Sequence, residues 1–408
     1  MNLWLVNHYA VLPRQSGGTR HYTLARELVR RGHRVTIIAS SFDHTTRQEI
    51  HVSEGKTSRL EVVDGVRFLW LRTPPYKKNS PKRLWNMMVF AHKVFGLRAG
   101  DLGEPPDVVL GSSPHLFAAW AAERLARRHR VPFVLEVRDL WPQSLVDLGS
   151  FSEGHPFIRW LEYIERDLYR RASRIVTLLP GASEHIVQKG GRSDCITWIP
   201  NGIDADSLPP PKPPAPKDAF ELMYAGAHGL ANGLQVILEA AEKLRDYRVR
   251  FRLVGDGPDK PRLMAIAKGK ELTNVVFQSP VPKSRIPVLF QEADAFLMVL
   301  RPSPVFRWGV SPNKLFDYMA AGRPIIFSVD TPLNPVAAAE AGITVPAGDA
   351  DALAKAIIRL LSMSPEERWK MGLKARKYVE QNHNLSRLAD KLESVLEDAL
   401  EDRPLPDT

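Results

Sequence analysis

The sequence predicts an α/β protein made of two doubly wound, parallel-sheet (Rossmann-like) domains that face a central cleft. Apolar strand-like segments alternate with helical periodicity in both halves, which is typical of parallel strands joined by crossover helices. The 408 residues are too many for one ordinary core, and 44% of them are apolar, which is enough for two. We therefore expect ligands to bind where the carboxyl ends of the strands meet.

Short apolar runs place the strands. We expect strands at 3–6, 35–39, 108–111, 133–137 and 175–178 in the first half, and at 222–224, 250–254, 275–278, 295–299, 325–329 and 343–345 in the second. Residues 209–216 include six prolines and should form a stiff, exposed connector between the halves. The predicted domains are 1–205 and 206–384, and a helix over 385–408 is expected to return toward the N-terminal domain.

Charge is divided unevenly along the chain. Residues 1–200 hold 29 lysines and arginines against 19 acidic residues, whereas residues 201–408 hold 27 of each kind. The single cysteine, Cys195, excludes an internal disulfide and is typical of a reducing compartment. No apolar run approaches the ~20 residues that span a bilayer, and no basic leader precedes the first strand, so we expect a cytoplasmic protein.

The basic excess is concentrated in the acid-free segment 66–100, which also carries an apolar stripe at helical spacing. The cations are Arg67, Arg72, Lys77, Lys78, Lys82, Arg83, Lys93 and Arg98. The stripe comprises Trp85, Met88, Val89, His92 and Phe95. A basic amphipathic helix on an anionic membrane explains both features and predicts a peripheral position on the inner face of the plasma membrane. Plain packing on its own domain is the alternative. Binding to nucleic acid is the least favoured interpretation, because the basic residues are not accompanied by interleaved aromatic residues or by a zinc-binding motif.

The run SPNKLFDYMAAGRPI, which begins at Ser311, presents groups suited to a nucleoside diphosphate. Pro312 suits the first turn of a helix, so the N–H groups around Asn313 and Lys314 and the Lys314 ammonium can form an anion site. Asp317 follows on the same helical face, where it can accept hydrogen bonds from ribose hydroxyls. An ordinary capped helix with a solvated Lys314 and Asp317 pair is the alternative.

Loops at other strand ends offer further candidates. Gly17 and Gly18 allow close approach of the backbone to an anion at a helix start. A later strand end leads to His115, an imidazole expected at the mouth of the cleft, with a capping histidine as the alternative. Two Asp-x-Asp triplets begin at Asp204 and Asp349. We interpret both as turn or helix caps, so no metal site is predicted.

These motifs resemble a retaining glycosyltransferase of the GT-B fold, of the family 4-like kind, over nearly the whole chain. The matching stretches are the Gly17-Gly18 loop with LAxxL at 24–28 and GHxVT at 32–36, PNGID at 200–204, VGDGP at 254–258 and the run at 311–325. RDLWP at 138–142 and SPNK at 311–314 further resemble the branch of L-fucosamine transferases, which act on lipid-linked sugars in surface-polysaccharide synthesis.

The sequence departs from the family pattern in the second domain. Two family glutamates that lie eight positions apart are replaced by Gly309 and Asp317. The first carboxylate is therefore absent, and the second is carried by the shorter side chain of aspartate.

A second departure concerns the cations after the first strand of that domain. The family's arginine and lysine correspond to Ala227 and Asn232, which leaves His228 as the nearest possible cation there. We therefore assign the phosphate-neutralising role to Lys314, assisted by Asn313 and backbone N–H groups.

The resemblance implies that a glycosyl unit is transferred from a UDP-sugar with retention of anomeric configuration. The leaving phosphate would help to take the acceptor proton, and no cofactor and no divalent metal would be required. The resemblance also implies that His115 positions the donor sugar. Asp139 is a candidate for orienting the acceptor hydroxyl, with loop capping as the alternative, and Arg138 and Trp141 are candidates for binding the acceptor.

The expected enzyme is a hexosyltransferase that moves an N-acetylated hexosamine or its deoxy form. The expected acceptor is a lipid-linked saccharide at the cytoplasmic membrane face, in O-antigen, capsule or exopolysaccharide synthesis. Three alternatives remain: transfer to a soluble small-molecule acceptor, a sugar-nucleotide epimerase on the same architecture, and a non-catalytic GT-B subunit.

Overall fold

The structure, a computed structural model, describes residues 1–15, 17–77, 81–205 and 208–402. The chain forms two compact units. Unit 1 consists of Met1–Pro200 and the C-terminal segment that begins at Leu385, and unit 2 consists of Asn201–Asn384. Each unit is built on a mainly parallel sheet with helices packed against it, which confirms the predicted class of two doubly wound α/β domains.

Unit 1 contains a sheet of eight strands in the part of the chain that the structure describes. The strands of this unit are β1 (Asn2–Val6), β2 (Arg34–Ser40), β3 (Phe42–Asp43), β4 (Gln48–Glu49), β5 (Ser58–Val63), β6 (Val66–Leu71), β7 (Val108–Ser112), β8 (Phe133–Val137), β9 (Arg174–Thr177) and β10 (Ile196–Trp198). The helices are α1 (Arg20–Arg30), α2 (Pro81–Gly96), α3 (Ala99–Leu102), α4 (Leu116–His129), α5 (Gln143–Asp147), α6 (Pro156–Arg171) and α7 (Ala182–Gln188).

The strand order in unit 1 is β10-β9-β8-β7-β1-β2-β6-β5, and β3 pairs with β4 in a separate antiparallel ribbon. All neighbours in the large sheet run parallel except β5 and β6. Every residue of β1, β7 and β8 is buried, as expected for parallel strands covered on both faces. The chain order reverses between β1 and β7, so a ligand crevice is expected at the carboxyl ends of these two strands.

Unit 2 contains a parallel sheet with the order β13-β12-β11-β14-β15-β16. Its strands are β11 (Phe220–Ala225), β12 (Val249–Val254), β13 (Val275–Gln278), β14 (Ala295–Val299), β15 (Ile325–Ser328) and β16 (Gly342–Val345). Its helices are α8 (Gln235–Lys243), α9 (Lys260–Gly269), α10 (Ile286–Gln291), α11 (Asn313–Ala320), α12 (Pro335–Ala338), α13 (Ala350–Ser362) and α14 (Pro365–Asn382). The order reverses between β11 and β14, so the loops after these strands meet at one edge of the sheet.

The last helix, α15 (Leu385–Glu401), belongs to unit 1. It buries Leu388, Leu392 and Leu396 in the core of unit 1 and packs against α1. The Arg31 guanidinium donates a hydrogen bond to the Glu393 carboxylate (2.6 Å), which joins the end of α1 to α15.

Two expectations about the chain need correction. The acid-free segment begins with the buried strand β6, so Arg67 and Arg72 do not lie on the basic helix, which is α2. The proline-rich stretch does not separate the two units, because unit 2 already begins at Asn201. Its Pro211 packs against Gly322 of unit 2: a Cβ atom at Gly322 would lie 2.7 Å from the Pro211 Cβ. Lys78 and Asp206, which the sequence singled out, lie outside the described residues.

Candidate active site

The Lys314 ammonium lies at the carboxyl end of β11 in unit 2. Its Nζ donates hydrogen bonds to the Asn232 Oδ1 (2.6 Å) and the Tyr224 hydroxyl (2.9 Å), and it lies 4.6 Å from the centroid of the Tyr224 ring. The Tyr224 hydroxyl in turn donates to the Ala227 carbonyl (2.8 Å). Burial lowers the pKa of Lys314 to about 7, because the ammonium has lost most of its hydration and has no carboxylate beside it in the described structure.

The start of α11 is fixed by a contact with the PNGID turn. Pro312 is the N-cap residue, one position before the predicted first helical turn, and Asn313 opens the helix as an exposed residue. The Ser311 hydroxyl accepts a hydrogen bond from the Asn201 backbone N–H (2.9 Å), and the Ser311 carbonyl accepts one from the Asn201 Nδ2 (2.6 Å). Two motifs far apart in the sequence therefore hold each other in place.

His228 does not supply the cation that the sequence suggested. Its side chain is completely buried, and burial together with the Lys260 charge lowers its pKa, so the ring is neutral near pH 7. Neither ring nitrogen makes a hydrogen bond of ordinary geometry within the described residues. The loop after β12 presses on this site: a Cβ atom at Gly255 would lie 1.9 Å from the Gly226 carbonyl oxygen, so this position requires glycine.

Asp317 is partly buried on α11. Loss of hydration raises its pKa to about 6, and the Lys283 ammonium opposes this shift. The carboxyl group therefore remains mostly ionised at pH 7, as a group that accepts hydrogen bonds from ribose must be.

Gly309 has a positive φ of 98°, in the region that favours glycine, and its N–H donates to the Phe306 carbonyl (3.0 Å). The absence of the family glutamate is therefore coupled to a local backbone conformation that a side chain would strain.

Unit 1 has a cleft of about 250 Å³ at the carboxyl ends of β1, β2, β7 and β8. Gly17, Gly18 and Arg138 line it, together with Arg83 and Pro114, so the structure brings three of the predicted site residues together. This is the crevice that the reversal of chain order beside β1 predicts.

His115 lies behind the wall of this cleft, not at its mouth. The side chain is only 1% exposed, and its Nδ1 accepts a hydrogen bond from the Ala118 N–H (3.4 Å) as the N-cap of α4. Burial lowers its pKa to about 3, and the Arg83 charge adds to the shift. The Nδ1 atom therefore caps α4, as the alternative interpretation expected. The buried Nε2 has no hydrogen-bond partner among the described residues.

A buried ionic network supports the glycine loop. The Glu136 carboxylate accepts hydrogen bonds from the Arg20 Nε (2.8 Å) and the Ser112 hydroxyl (2.6 Å), and it lies 2.5 Å from the His21 Nε2. Burial alone would raise the pKa of Glu136, but His21 and Arg20 hold it well below its usual range. The Arg20 guanidinium also donates to the Pro200 carbonyl (2.5 Å), so this network ties the start of α1 to β8 and to the end of the N-terminal segment of unit 1. Sequence reasoning missed it, because its members lie up to 180 positions apart.

The RDLWP loop follows β8, and its three candidates have different surroundings. The Arg138 N–H donates to the Ser113 hydroxyl (2.8 Å), which sets this arginine beside the cleft. Asp139 and Trp141 are partly buried and are not part of the cleft wall. Burial raises the pKa of Asp139, and its carbonyl accepts a hydrogen bond from the Trp141 N–H (2.9 Å).

The Asp-x-Asp triplet at 349 is a helix cap, as the sequence predicted. The Asp349 Oδ1 accepts a hydrogen bond from the Ala352 N–H (2.8 Å), and Asp351 forms an ion pair with Lys243 (2.8 Å). Over the residues that the structure describes, no group of three or more histidine, cysteine, aspartate and glutamate side chains could hold a metal ion. None of the described helices is both long and apolar enough to cross a bilayer.

Each unit is thus Rossmann-like: glycines line the cleft at the carboxyl ends of the strands in unit 1, and the Lys314 ammonium lies at the carboxyl end of β11 in unit 2. Residues 17–202 match the glycosyl transferase 4-like domain, and residues 219–363 match the domain of glycosyl transferases group 1. Together these matches span most of the chain, which belongs to the glycosyltransferases and has the GT-B fold.

Individual proteins agree with this class. The chain is 26% identical over 320 residues to a protein described as a colanic acid biosynthesis glycosyl transferase, WcaI of Escherichia coli (strain K12), covering 74% of this chain and 77% of that one. The fold is similar to that of sucrose-phosphate synthase from Thermosynechococcus elongatus (TM-score 0.76, 18% identity, 98% and 99% of the two chains). It is also similar to that of Anabaena HepE in complex with UDP and glucose (TM-score 0.66, 15% identity, 97% and 99%).

Proposed function

We propose that this glycosyltransferase moves a hexosyl unit from a UDP-sugar to a lipid-linked saccharide at the cytoplasmic membrane face, with retention of anomeric configuration. The relative WcaI is described as acting in colanic acid biosynthesis, which supports a role in surface-polysaccharide synthesis. The structural neighbour HepE was solved with UDP and glucose, which supports uracil as the base of the donor nucleotide. An N-acetylated hexosamine or its deoxy form is the sugar that the resemblance favours.

One observation carries the donor assignment. The Lys314 ammonium is held by Asn232 and Tyr224 at the carboxyl end of β11, beside the first turn of α11 and its outward-directed N–H groups. A buried cation with neutral partners is costly in the free protein and gains a counterion when a diphosphate arrives. Asn313 and Asp317 lie on the same helix, so one element would present both a phosphate site and a ribose site.

The chemistry follows from where charge develops. In our proposal the bond between the anomeric carbon and the diphosphate oxygen breaks, and the acceptor oxygen bonds to that carbon on the same face. The acceptor proton passes to the departing diphosphate. Lys314 and the N–H groups at the start of α11 would stabilise the negative charge on the leaving group, which is the main catalytic requirement. No cofactor or divalent metal takes part in this scheme.

The candidates in unit 1 have narrower roles in the proposal. The resemblance assigns to His115 the positioning of the donor sugar. Because the side chain is only 1% exposed and its pKa is low, it would do so as a neutral imidazole from behind the cleft wall, through the loop that it supports. Arg138 and Trp141 would bind the acceptor, and Asp139 would orient its hydroxyl. Gly17 and Gly18, which line the cleft, would allow the protein backbone to approach an anionic group of the donor closely.

The exposed face of α2 supports the membrane part of the proposal. The helix buries Met87, Phe90 and Val94 against its own unit, so plain packing accounts for one face only. On the other face Trp85 is 57% and Met88 is 43% exposed. Exposed aromatic and long apolar side chains beside lysines are typical of helices that lie at the headgroup level of a bilayer.

The test is a donor screen followed by a transfer assay. UDP-, GDP- and dTDP-sugars are compared by thermal shift, because a ligand that binds the folded state raises its stability. The best donor is then incubated with bacterial membrane extract, and the anomeric configuration of the product is read by NMR. We expect a UDP-sugar to stabilise the protein and to give a product with retained configuration. Inversion, epimerised free nucleotide sugar, or no product would reject the proposal.

A further inference from the structure

Exposed aromatic side chains are concentrated on one face of unit 1. Among the described residues, seven phenylalanine, tyrosine and tryptophan side chains are exposed, and six of them lie on α2, on α4, on α6 or in the loop before α6. These six are Trp85, Phe95, Trp120, Phe151, Trp160 and Tyr163. The seventh, Tyr247, belongs to unit 2. Because soluble proteins rarely group their exposed apolar side chains, this distribution indicates a binding surface.

The three helices form one layer, because α4 packs against both α2 and α6. On one side, the Arg128 guanidinium of α4 donates a hydrogen bond to the Phe95 carbonyl (2.5 Å) and lies 4.5 Å from the centroid of the Phe95 ring. On the other side, the ring centroid of Trp160 in α6 lies 5.4 Å from that of Phe117 in α4. The exposed faces of α2, α4 and α6 are therefore continuous.

The aromatic part of this surface extends from α6 into the loop before it. The ring centroid of Phe157 lies 6.0 Å from that of Trp160 and 5.6 Å from that of Phe151. Trp160 is 45% exposed, and Tyr163, which follows it by three positions, is 70% exposed. Tryptophan and tyrosine concentrate at the headgroup level of a bilayer, because each combines an apolar ring with a polar N–H or O–H group. Their presence here favours a lipid surface.

Cations accompany the rings on α6. Three exposed arginines recur at helical spacing along one side of the helix, namely Arg159, Arg166 and Arg170. The helix and the loop before it expose one carboxylate, that of Glu153. The partly buried Asp167 accepts a hydrogen bond from the Arg171 Nε (2.5 Å). The partly buried Glu162 accepts one from the Lys189 Nζ (2.9 Å). The exposed side of α6 is therefore positively charged, which complements anionic headgroups.

We propose that α6, together with the loop before it, is a second membrane contact that lies on an anionic bilayer beside α2. This inference deepens the membrane part of the proposed function and depends on it. The rings would lie at headgroup level, and the arginines would bind lipid phosphates. One amphipathic contact binds a membrane weakly and reversibly, whereas two contacts on one unit reinforce each other. Two helices would also fix the orientation of unit 1 on the bilayer.

Co-sedimentation with phosphatidylglycerol vesicles tests α6 separately from α2, which is unchanged in these variants. The aromatic variant is Trp160→Ser with Tyr163→Ser, and the charge variant is Arg159→Glu with Arg166→Glu. The matched controls change exposed residues of unit 2: Tyr247→Ser with Met264→Ser, and Lys355→Glu with Lys377→Glu. We expect each α6 variant to bind at least tenfold more weakly than wild type at low salt, and each control to bind as wild type does.

A fluorescent label that reports its surroundings distinguishes a bilayer from a protein partner. Tyr163→Cys, in a Cys195→Ala background that removes the single native thiol, carries a nitrobenzoxadiazole group, and Tyr247→Cys is its control. With vesicles as the sole partner, the emission at position 163 should rise and be quenched by lipids that carry a spin label near the headgroup. The emission at position 247 should not change. This measurement keeps Trp160, so it decides the question if the aromatic variant is unstable.

The outcomes separate this inference from the proposed function. The thermal midpoint and UDP affinity, measured for each variant, show whether the fold and the donor site are intact. If both α6 variants bind vesicles as wild type does, or if the label at position 163 does not respond, the inference is overturned and the aromatic face is left for a protein partner. Failure of wild type to bind vesicles would overturn the contacts of α2 and α6 together, while the transfer assay decides glycosyl transfer independently.

Discussion

The Lys314 Nζ lies 2.6 Å from the Asn232 Oδ1, and these two residues come from different elements of unit 2. Asn232 occupies the position at which the resemblance places a lysine, in the short turn after β11. This turn has no ammonium group of its own, and Lys314 in the first turn of α11 places one there. The asparagine amide is therefore a partner for the cation, and the positive charge is kept although its position in the sequence has changed.

This relationship predicts that catalysis requires a positive charge at this place, whether position 314 or position 232 carries it. Lys314→Ala should lower kcat/KM at least 100-fold, because a cation at the leaving diphosphate stabilises the transition state by several kcal/mol. Exchanging the pair, Lys314→Asn with Asn232→Lys, should recover part of that loss. The measurement is steady-state transfer from the UDP-sugar, and Lys355→Ala, an exposed lysine of α13, is the control. Wild-type kinetics in Lys314→Ala would contradict the donor-site assignment.

Donor binding should depend on pH, with an optimum between the pKa values of Asp317 and Lys314, the two partly buried charged groups of α11. Burial lowers the pKa of Lys314 to about 7, so above pH 7 a UDP-sugar must bind together with a proton. Affinity should fall about tenfold from pH 6 to pH 8 through this group, since each pH unit above the pKa costs a factor of ten. The pKa of Asp317 is raised to about 6, so its carboxylate, and the ribose contact, is lost below pH 6.

Calorimetric titration of the UDP-sugar from pH 5 to pH 9 measures this profile. The diphosphate of a UDP-sugar keeps its charge over the range, so the protein groups dominate. Lys314→Arg is the matched variant, because a guanidinium does not deprotonate, and it should bind equally at pH 6.5 and pH 8. A wild-type affinity that is flat between those values would show that Lys314 does not bind the diphosphate.

Restoring the family glutamate should not restore a function. Gly309 has a φ of 98°, and a side chain in this conformation costs on the order of 1–3 kcal/mol. Gly309→Glu should therefore lower the thermal midpoint by several degrees and leave the KM for the donor unimproved. Gly269→Glu is the control, because Gly269 lies in α9 without a positive φ, and a Cβ atom there would have no neighbour within 4 Å. A variant with unchanged stability and tighter donor binding would show that the backbone here tolerates the family's acid.

Hydrophobic patterning predicted the fold well, because the central parallel strands are continuous apolar runs that are buried on both faces. It missed β5 and β6. The strand β5 is mostly exposed and lacks a continuous apolar run, and β6 was interpreted only as the start of the acid-free segment. It also misplaced the proline-rich stretch, because composition indicates stiffness but does not show which unit the prolines pack against.

The site was harder to predict than the fold, because its contacts join distant elements. Lys314 was identified from its own helix, but its partner Tyr224 lies 90 positions away and carries no local motif. Arg83 was grouped with the surface cations because the helical pattern gives its spacing and not the direction of its side chain. The neutral state of His228 follows from complete burial, which the sequence of a loop does not reveal.

Transfer should persist in excess chelator. Asp349 is occupied as a helix cap, and the diphosphate charge is assigned to Lys314 and backbone N–H groups. We expect the initial rate with 10-fold excess EDTA over magnesium to be within about twofold of the untreated rate. Asp349→Ala, which removes the cap, should likewise keep its activity and lower only the stability, by about 1 kcal/mol. Complete loss of transfer that magnesium reverses would establish a metal-bridged diphosphate.

The last prediction concerns the exposed face of α2. Because Arg83 lines the cleft of unit 1, it is left unchanged. The charge variant combines Lys82→Glu, in the first turn of α2, with Lys77→Glu, in the segment before the helix, and both residues are exposed. The apolar variant is Trp85→Ser with Met88→Ser. Lysines near an anionic surface contribute about 1 kcal/mol each and are screened by salt, so the loss of two should weaken vesicle binding by roughly 30-fold.

Co-sedimentation with phosphatidylglycerol vesicles measures this binding, at low and at high salt. Wild type should bind at low salt and be released as salt rises, whereas both variants should remain in solution while binding the UDP-sugar normally. Met264→Ser with Val288→Ser removes two exposed apolar side chains of unit 2 and should bind vesicles as wild type does. If wild type does not bind, or if all proteins bind equally, α2 is not the membrane contact and the soluble-acceptor alternative becomes the better account of the enzyme.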